Sequence, residues 1–220
     1  MANSVSYHSP VESVTVFVLA GGHSSRMGSD KALLQLGGLT LLERALQTSR
    51  QISERVHIVG PKLRYTQFGD VIEDLYPDCG PLGGIHAALN VTTTDLNLML
   101  SVDMPLMTAS FLQWLAGQAL ASQELIVVPH AQGGLQPLCA IYRPQVRTAA
   151  EEALQRGDYK ISHLFEVVPT REISLREIEA AGFSADLFRN VNTSEEYQEL
   201  VQGAAPPTEP HYSEKETNYR

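Results

Sequence analysis

The chain has 220 residues, with 16 Lys and Arg against 25 Asp and Glu, a formal net charge of −9. Its apolar fraction of 43% is too high for a disordered chain and suits one globular domain with short tails. The acidic balance argues against affinity built on nucleic-acid phosphates or anionic lipid, since both need positive surface. Two cysteines, Cys79 and Cys139, make neither a disulfide scaffold nor a Cys/His metal spacing, and read as buried or incidental thiols. No basic residue precedes the first apolar run, which is short, so the start does not resemble a signal peptide. No stretch reaches the ~18 apolar residues of a membrane span. A cytoplasmic protein is expected.

Residues 1–12 are polar and without period, and are expected to be a flexible N-terminus. Residues 203–220 hold three prolines and no apolar run, and are expected to be a flexible tail. One domain is expected between them, over 13–202. Val14–Leu19 is a β-branched, nearly continuous apolar run, as in a strand buried on both faces, and it leads into Gly21 and Gly22. Thr40 and Glu43 carry a capping-box signature for a helix whose apolar stripe is Leu41, Leu42, Ala45, Leu46 and Ile52. Arg55–Val59 is a second strand, closed by Gly60 and Pro61. A helix is predicted from Gly83 to Asn90, then a strand over Leu96–Leu100 that ends at Asp103 and Pro105. A helix over about Thr108–Ser122, strands Leu125–Val128 and Leu138–Tyr142, and a helix after Pro144 follow. Thr193 and Glu196 repeat the capping-box pattern for a last helix.

Strand and helix alternate over most of the chain. That predicts an α/β protein, a single-domain three-layer sandwich around a mostly parallel, Rossmann-like sheet. Ligands of such sheets sit outside the carboxyl ends of the strands, so the chemistry is expected just after Leu19, Val59 and Leu100.

The stretch LAGGHSSRMGSDKALL, residues 19–34, is the most informative. Gly21, Gly22 and Gly28 let backbone approach a ligand closely, and successive N–H groups in such a loop form an anion-binding concavity. Arg26 and Lys31 bring two positive charges into an otherwise acidic chain, one able to fork onto phosphate oxygens and one a compact point charge. The chemistry suggested is triphosphate binding; the alternative is a tight strand-to-helix turn with a solvated Arg and Lys. The loop fits neither GxxxxGK[ST] nor GxGxxG. It does resemble the signature LAGGxSxRMGxDK of nucleotidyltransferases that activate small phosphorylated molecules, and in particular the MobA family of molybdenum cofactor guanylyltransferases. Three further segments match in order: Val71–Asp74 with Gly80–Gly84, Asp103–Pro105, and Asn190–Thr193. The likeness spans roughly residues 14–200.

Asp103 follows an apolar strand, where a carboxylate facing the glycine loop suits a hard cation shared with phosphate oxygens; a turn-initiating Asp before Met-Pro is the plainer reading. The resemblance implies that Asp103 binds Mg²⁺, and that Leu19, Ala20, Gly21, Gly22, Lys31, Asp74 and Asp103 contact GTP. Glu73 rivals Asp74 for its place. Arg26, Lys31 and Asp103 are the implied catalytic set, with the two cations clamping phosphate. Gly80 and Pro81 are implied near the base or the pterin. Gln136, Asn190 and Asn192 are implied on the acceptor side, and Asn192 equally suits a helix cap with Thr193. His23 lies in the glycine loop and is not assigned to catalysis. His86 and His163 read as surface or packing residues. One departure stands out: some family members place a nucleotide-binding Asn at the end of the second strand, where this chain has Gly60.

The implied activity is transfer of GMP from GTP to the terminal phosphate of molybdopterin, or of its molybdenum-loaded form, with release of pyrophosphate. Transient contact with cofactor-delivery proteins or molybdoenzymes is expected, with no nucleic-acid or membrane partner. Three alternatives stay open: a CTP-dependent molybdopterin cytidylyltransferase, another guanylyl or sugar-phosphate nucleotidyltransferase with the same loop but a different acceptor, and a non-catalytic nucleotide-binding module. Leu19–Gly22 reads LAGG, as in GTP users, rather than the LAAG of CTP users.

Overall fold

A computed structural model describes residues 13–21, 30–191 and 196. The expected flexible ends, 1–12 and 203–220, lie outside the described residues, as do most of the glycine loop and the helix expected after Thr193.

The first strand, β1, spans Val14–Leu19, every residue buried. Alternation splits its apolar run between two cores: Val14, Val16 and Val18 face one, Phe17 and Leu19 the other. The same split recurs in the strands over 96–101, 126–131 and 139–142, which is why their sequences read as largely apolar runs rather than alternating ones. A hairpin of β2 (Gln35–Leu36) and β3 (Leu39–Thr40) leads into α1 (Leu41–Arg50). The expected capping box is present: Glu43 N donates to Thr40 Oγ1 at 3.1 Å, and Thr40 N donates to Glu43 Oε2 at 2.8 Å. Then come β4 (Val56–Val59), the one-turn helix α2 (Lys62–Tyr65), β5 (Val71–Ile72) and α3 (Pro81–Val91). Next are β6 (Leu96–Ser101), α4 (Ala109–Leu120), β7 (Ile126–Ala131), β8 (Gly134–Leu135) and β9 (Cys139–Tyr142). The described chain closes with α5 (Val146–Gln155), α6 (Leu164–Val167), β10 (Thr170–Ile173) and α7 (Leu175–Ala180).

The main sheet runs β10-β7-β9-β6-β1-β4-β5, with β8 paired to β7. Pairs β1–β4, β1–β6, β4–β5 and β7–β10 are parallel, while β9 runs antiparallel to β6 and β7. Helices α1, α4 and α7 pack on one face through Leu42, Phe111 and Ile178. Helices α3, α5 and α6 cover the other through Ile85, Ala150 and Leu164. The mostly parallel three-layer sandwich expected from sequence is therefore the observed fold.

One topological fact positions the site. From β1 the chain reaches neighbour β4 by way of α1 on one face. It reaches the opposite neighbour, β6, by way of α3 on the other face. Crossovers that part to opposite faces open a crevice at the carboxyl end of the strand between them.

Candidate functional site

At that crevice Leu19 pairs in register with Val59 on one side and Ser101 on the other. Two bonds continue the pairing past the strand ends: Ala20 N donates to Val59 O at 2.9 Å and Val102 N to Leu19 O at 3.2 Å. Gly21, Gly60 and Asp103, from three separate segments, thus share one rim. Val191 N donates to Asp103 O at 2.9 Å, which brings Asn190 to the same place.

Lys31 Nζ lies 3.4 Å from Asp103 Oδ2, with the two side chains 19% and 22% exposed. The other Asp103 oxygen, Oδ1, is buried and has no hydrogen-bond partner among the described residues, and the same holds for Asn190 Oδ1. An unpartnered buried carboxylate oxygen is costly unless a cation meets it. Asp103 therefore fits a hard divalent ion such as Mg²⁺, which takes oxygen ligands and keeps several positions for water and phosphate. Among the described residues no group of three His, Cys, Asp or Glu side chains gathers into a self-sufficient metal cage. An ion held here would draw its remaining ligands from a bound anion and water.

Beside this rim lies a cleft of about 530 Å³, between the ends of β1 and β4 and the start of α3. Its walls include Leu19, Gly21, Gly60, Asp74, Gly80 and Pro81. The volume is in the range of small-ligand pockets. Asp74 is seated against the first turn of α3: a Cβ on Gly83 would fall 2.5 Å from one of its carboxylate oxygens. Only glycine at 83 leaves room for that seat. Tyr76 N donates to Asp74 Oδ1 at 2.8 Å. Burial raises the Asp74 carboxyl above its ordinary value, opposed by that N–H bond and by the nearby His86. Glu73 also reaches the cleft, but its Oε1 accepts from Lys62 N at 3.2 Å and so caps α2. Geometry separates the two rivals: Glu73 fastens a helix, and Asp74 faces the cleft from a half-buried position.

The rim and cleft together hold Leu19, Ala20, Gly21, Lys31, Asp74, Gly80, Pro81, Asp103 and Asn190. Gly80 and Pro81 share the cleft with Asp74 rather than forming a separate pocket. Gln136 is buried, its amide donating to Ala131 O at 2.8 Å and Gly134 O at 3.4 Å across the β7–β8 turn, while Ser101 N donates to Leu138 O at 2.8 Å and sets this segment beside the end of β6. Arg26, Gly22, His23 and Asn192 lie outside the described residues. Cys139 is buried, Cys79 half-buried, and both are free thiols. His86 is buried edge-on to Tyr76, and neither ring nitrogen has a hydrogen-bond partner among the described residues. His163 pairs with Asp158 at 2.8 Å.

Sequence reasoning passed over Asp30 and Tyr65. Asp30 Oδ1 accepts from Ala32 N at 3.1 Å, capping the short 3-10 turn Lys31–Leu33 that carries Lys31. Aspartate just ahead of a short apolar run was a readable cap signal. The expected Asn contact at Gly60 has a structural counterpart: a Cβ there would lie 3.0 Å from the Tyr65 ring and 3.3 Å from Gly21 N. The ring takes the space that a side chain at 60 would need.

Comparison with known proteins identifies the family. The family model of the MobA-like NTP transferase domain matches residues 16–175. A protein of Clostridium perfringens named "probable molybdenum cofactor guanylyltransferase" is 32% identical over 194 residues, covering 84% of this chain and 94% of its own. The molybdenum cofactor guanylyltransferase of Vibrio cholerae is 33% identical over 195 residues, covering 86% and 91%. Among solved structures, the molybdopterin-guanine dinucleotide biosynthesis protein A of Archaeoglobus fulgidus superposes with a TM-score of 0.76 at 23% identity, covering 86% of this chain and 97% of its own. The match spans both the strand that opens the glycine loop and the one that delivers Asp103, and the chain belongs to the MobA-like NTP transferase family of nucleotidyltransferases.

Proposed function

We propose that the chain transfers GMP from GTP to the terminal phosphate of molybdopterin, with or without molybdenum, and releases pyrophosphate. The observation that carries this reading is Asp103, whose buried Oδ1 has no partner among the described residues and which stands beside Lys31 past the end of β6, near Gly21 where the chain leaves β1. The names of the relatives, guanylyltransferases at 32% and 33% identity, supply the acceptor and the base.

In this reading a phosphate oxygen of the acceptor attacks the α-phosphorus of GTP. The bond to the bridging oxygen of pyrophosphate breaks, and that oxygen leaves with the electron pair. No covalent enzyme intermediate is needed, so the protein acts by positioning and charge. Lys31 neutralises phosphate oxygens and holds Asp103 in place. Asp103 would hold Mg²⁺, and an ion bound there would offset the repulsion between two phosphorylated reactants and the charge gathering on the leaving group. Arg26 is the second cation of the clamp. Asp74 accepts hydrogen bonds from the base: an ionised carboxylate offers only acceptors, and guanine presents adjacent N–H donors on one edge. Asn190 serves the acceptor phosphate from beside Asp103. A GTP-consuming reaction belongs in the cytoplasm, and its dinucleotide product then passes to delivery proteins or molybdoenzymes.

The test supplies the purified chain with Mg²⁺, molybdopterin and either GTP or CTP. Pyrophosphate and dinucleotide should form with GTP at a rate at least tenfold above CTP. Faster turnover of CTP reverses the base assignment, and no pyrophosphate with either nucleotide refutes catalysis.

A further inference from the structure

The two described ends of the glycine loop are fastened to one side chain from outside it. Tyr65, the last residue of α2, is 1% exposed. Its ring fills the space beside Gly60, with a Cβ at 60 only 3.0 Å from Cε2. Its hydroxyl oxygen lies 3.0 Å from Ala20 O, on the way into the loop, and 2.9 and 3.0 Å from the two carboxylate oxygens of Asp30, on the way out. A hydroxyl has one proton, here shared between a carbonyl and a carboxylate. Burial beside Asp30 raises the Tyr65 pKa well above its ordinary 10, so that proton stays in place throughout the working pH range.

The chain of contacts continues to the site. Asp30 caps the turn that carries Lys31, through Ala32 N at 3.1 Å, and Lys31 Nζ reaches Asp103 at 3.4 Å. Helix α2 has its own anchor, Glu73 accepting from Lys62 N at 3.2 Å. Arg64 Nη1 also approaches Asp30 at 3.4 Å, but its side chain is 61% exposed, so that pair adds little.

We propose that Tyr65 is a positioning residue: its hydroxyl buckles the two ends of the phosphate-binding loop together and thereby sets Lys31 against Asp103. The role of that loop rests on the function proposed above, while the buckle itself does not. The residue sets loop geometry without touching substrate. An open loop must instead be ordered by the nucleotide, at a cost to affinity.

Tyr65→Phe keeps the ring under Gly60 and removes the bridging proton. Without nucleotide, hydrogen exchange at the amides of Ala32, Leu33 and Leu34 should quicken at least tenfold, while amides of the central strand β6 keep their protection. With Mg²⁺ and molybdopterin, KM for GTP should rise about tenfold with kcat changed less than threefold. Asp30→Ala, which removes both acceptor oxygens, should do the same. The double variant should also sit near tenfold rather than a hundredfold, because both substitutions break one bridge. Unchanged exchange at 32–34 overturns the buckle whatever the enzyme's substrate. Quickened exchange with wild-type KM, or multiplicative effects in the double variant, overturns its role in nucleotide binding. A wild-type chain that turns over no nucleotide refutes the proposed function and leaves the exchange result to decide the buckle.

Discussion

Gly83→Ala tests whether Asp74 owes its place in the cleft to the first turn of α3. The added methyl would lie 2.5 and 2.7 Å from the two Asp74 carboxylate oxygens and 2.9 Å from its Cγ. These distances fall roughly 1 Å short of ordinary contact, so the carboxylate must leave its seat. The effect on stability nearly cancels. Alanine inside a helix is favoured over glycine by about 0.5–1 kcal/mol. Against that, Asp74 loses its bond from Tyr76 N, a net loss of about 1 kcal/mol once water replaces it at this half-buried position. The Tm should therefore stay within about 4 °C of the wild type. Nucleotide affinity has no such offset. A displaced acceptor loses charge-assisted hydrogen bonds to the base worth about 1.5–3 kcal/mol, so Kd for GTP should rise about 10- to 150-fold. Titration calorimetry with Mg²⁺ and GTP, beside a thermal melt, reads both quantities. Asp74→Ala should give the same loss, and adding it to Gly83→Ala should lose little more. Wild-type affinity in Gly83→Ala, or independent losses in the double variant, would refute the reasoning.

Asp103→Asn should cut pyrophosphate release at least ~100-fold, as expected where phosphoryl charge loses its counter-ion, with the melting curve unchanged; normal turnover removes Asp103 from the metal site. Arg143 clasps the end of α4, donating to Ala119 O, Ser122 O and Glu124 O at 3.0–3.2 Å and pairing with Asp95. Arg143→Met takes the donor from Ser122 O and Glu124 O, while Ala119 O keeps its bond from Ser122 N, at about 2–4 kcal/mol, and should lower Tm by about 5–15 °C while KM for GTP holds. Burial lowers the His86 pKa below 6.5, with Glu151 and Asp74 opposing and Arg147 assisting. A depressed histidine pKa contributes stability that is intact above 6.5 and is lost as pH falls through the folded-state value. Urea melts should therefore weaken on the acid side of pH 6.5, and His86→Leu should flatten that slope.

What could be read from the sequence follows from how locally each signal is written. The strands β1 and β6 are apolar on both faces, so their runs stand out with no knowledge of partners. The edge strand β10 reads Thr-Arg-Glu-Ile, largely solvent-facing, and carries no run to notice. The helix after it was readable: Ser174 and Glu177 form a capping box as regular as that of Thr40 and Glu43, and went unread. Asp103 was visible because it ends a buried strand. The choice between Glu73 and Asp74 was not, because adjacent residues leaving a two-residue strand diverge, and only the position of Lys62 N decides which becomes a cap. Tyr65 meets Ala20 and Asp30 across 45 and 35 residues, through a parallel crossover that no local pattern encodes.

The charge balance gains a direction from the fold. An excess of nine negative charges opposes any triphosphate at long range, and among the described residues the site does not reverse this with a basic patch. The wall of the cleft away from the rim is itself acidic on balance, carrying Glu73, Asp74 and Asp78 against Arg64. The end at the rim carries Lys31 against Asp103, whose Oδ1 has no partner among the described residues and suits a cation. A nucleotide with its phosphates among those three carboxylates would meet repulsion at close range, where the dielectric screens least. Turned the other way, its donor-rich base faces acceptors and its phosphates face Lys31 and the ion. On the proposed function, the acidic end therefore helps specify one orientation of GTP, by penalising the reverse pose rather than by adding attraction. Asp78→Asn, outside the base-binding contacts assigned here, should then leave Kd for GTP near the wild-type value while tightening free pyrophosphate or triphosphate severalfold. Equal tightening of both ligands would mean that the carboxylates repel phosphate without orienting it.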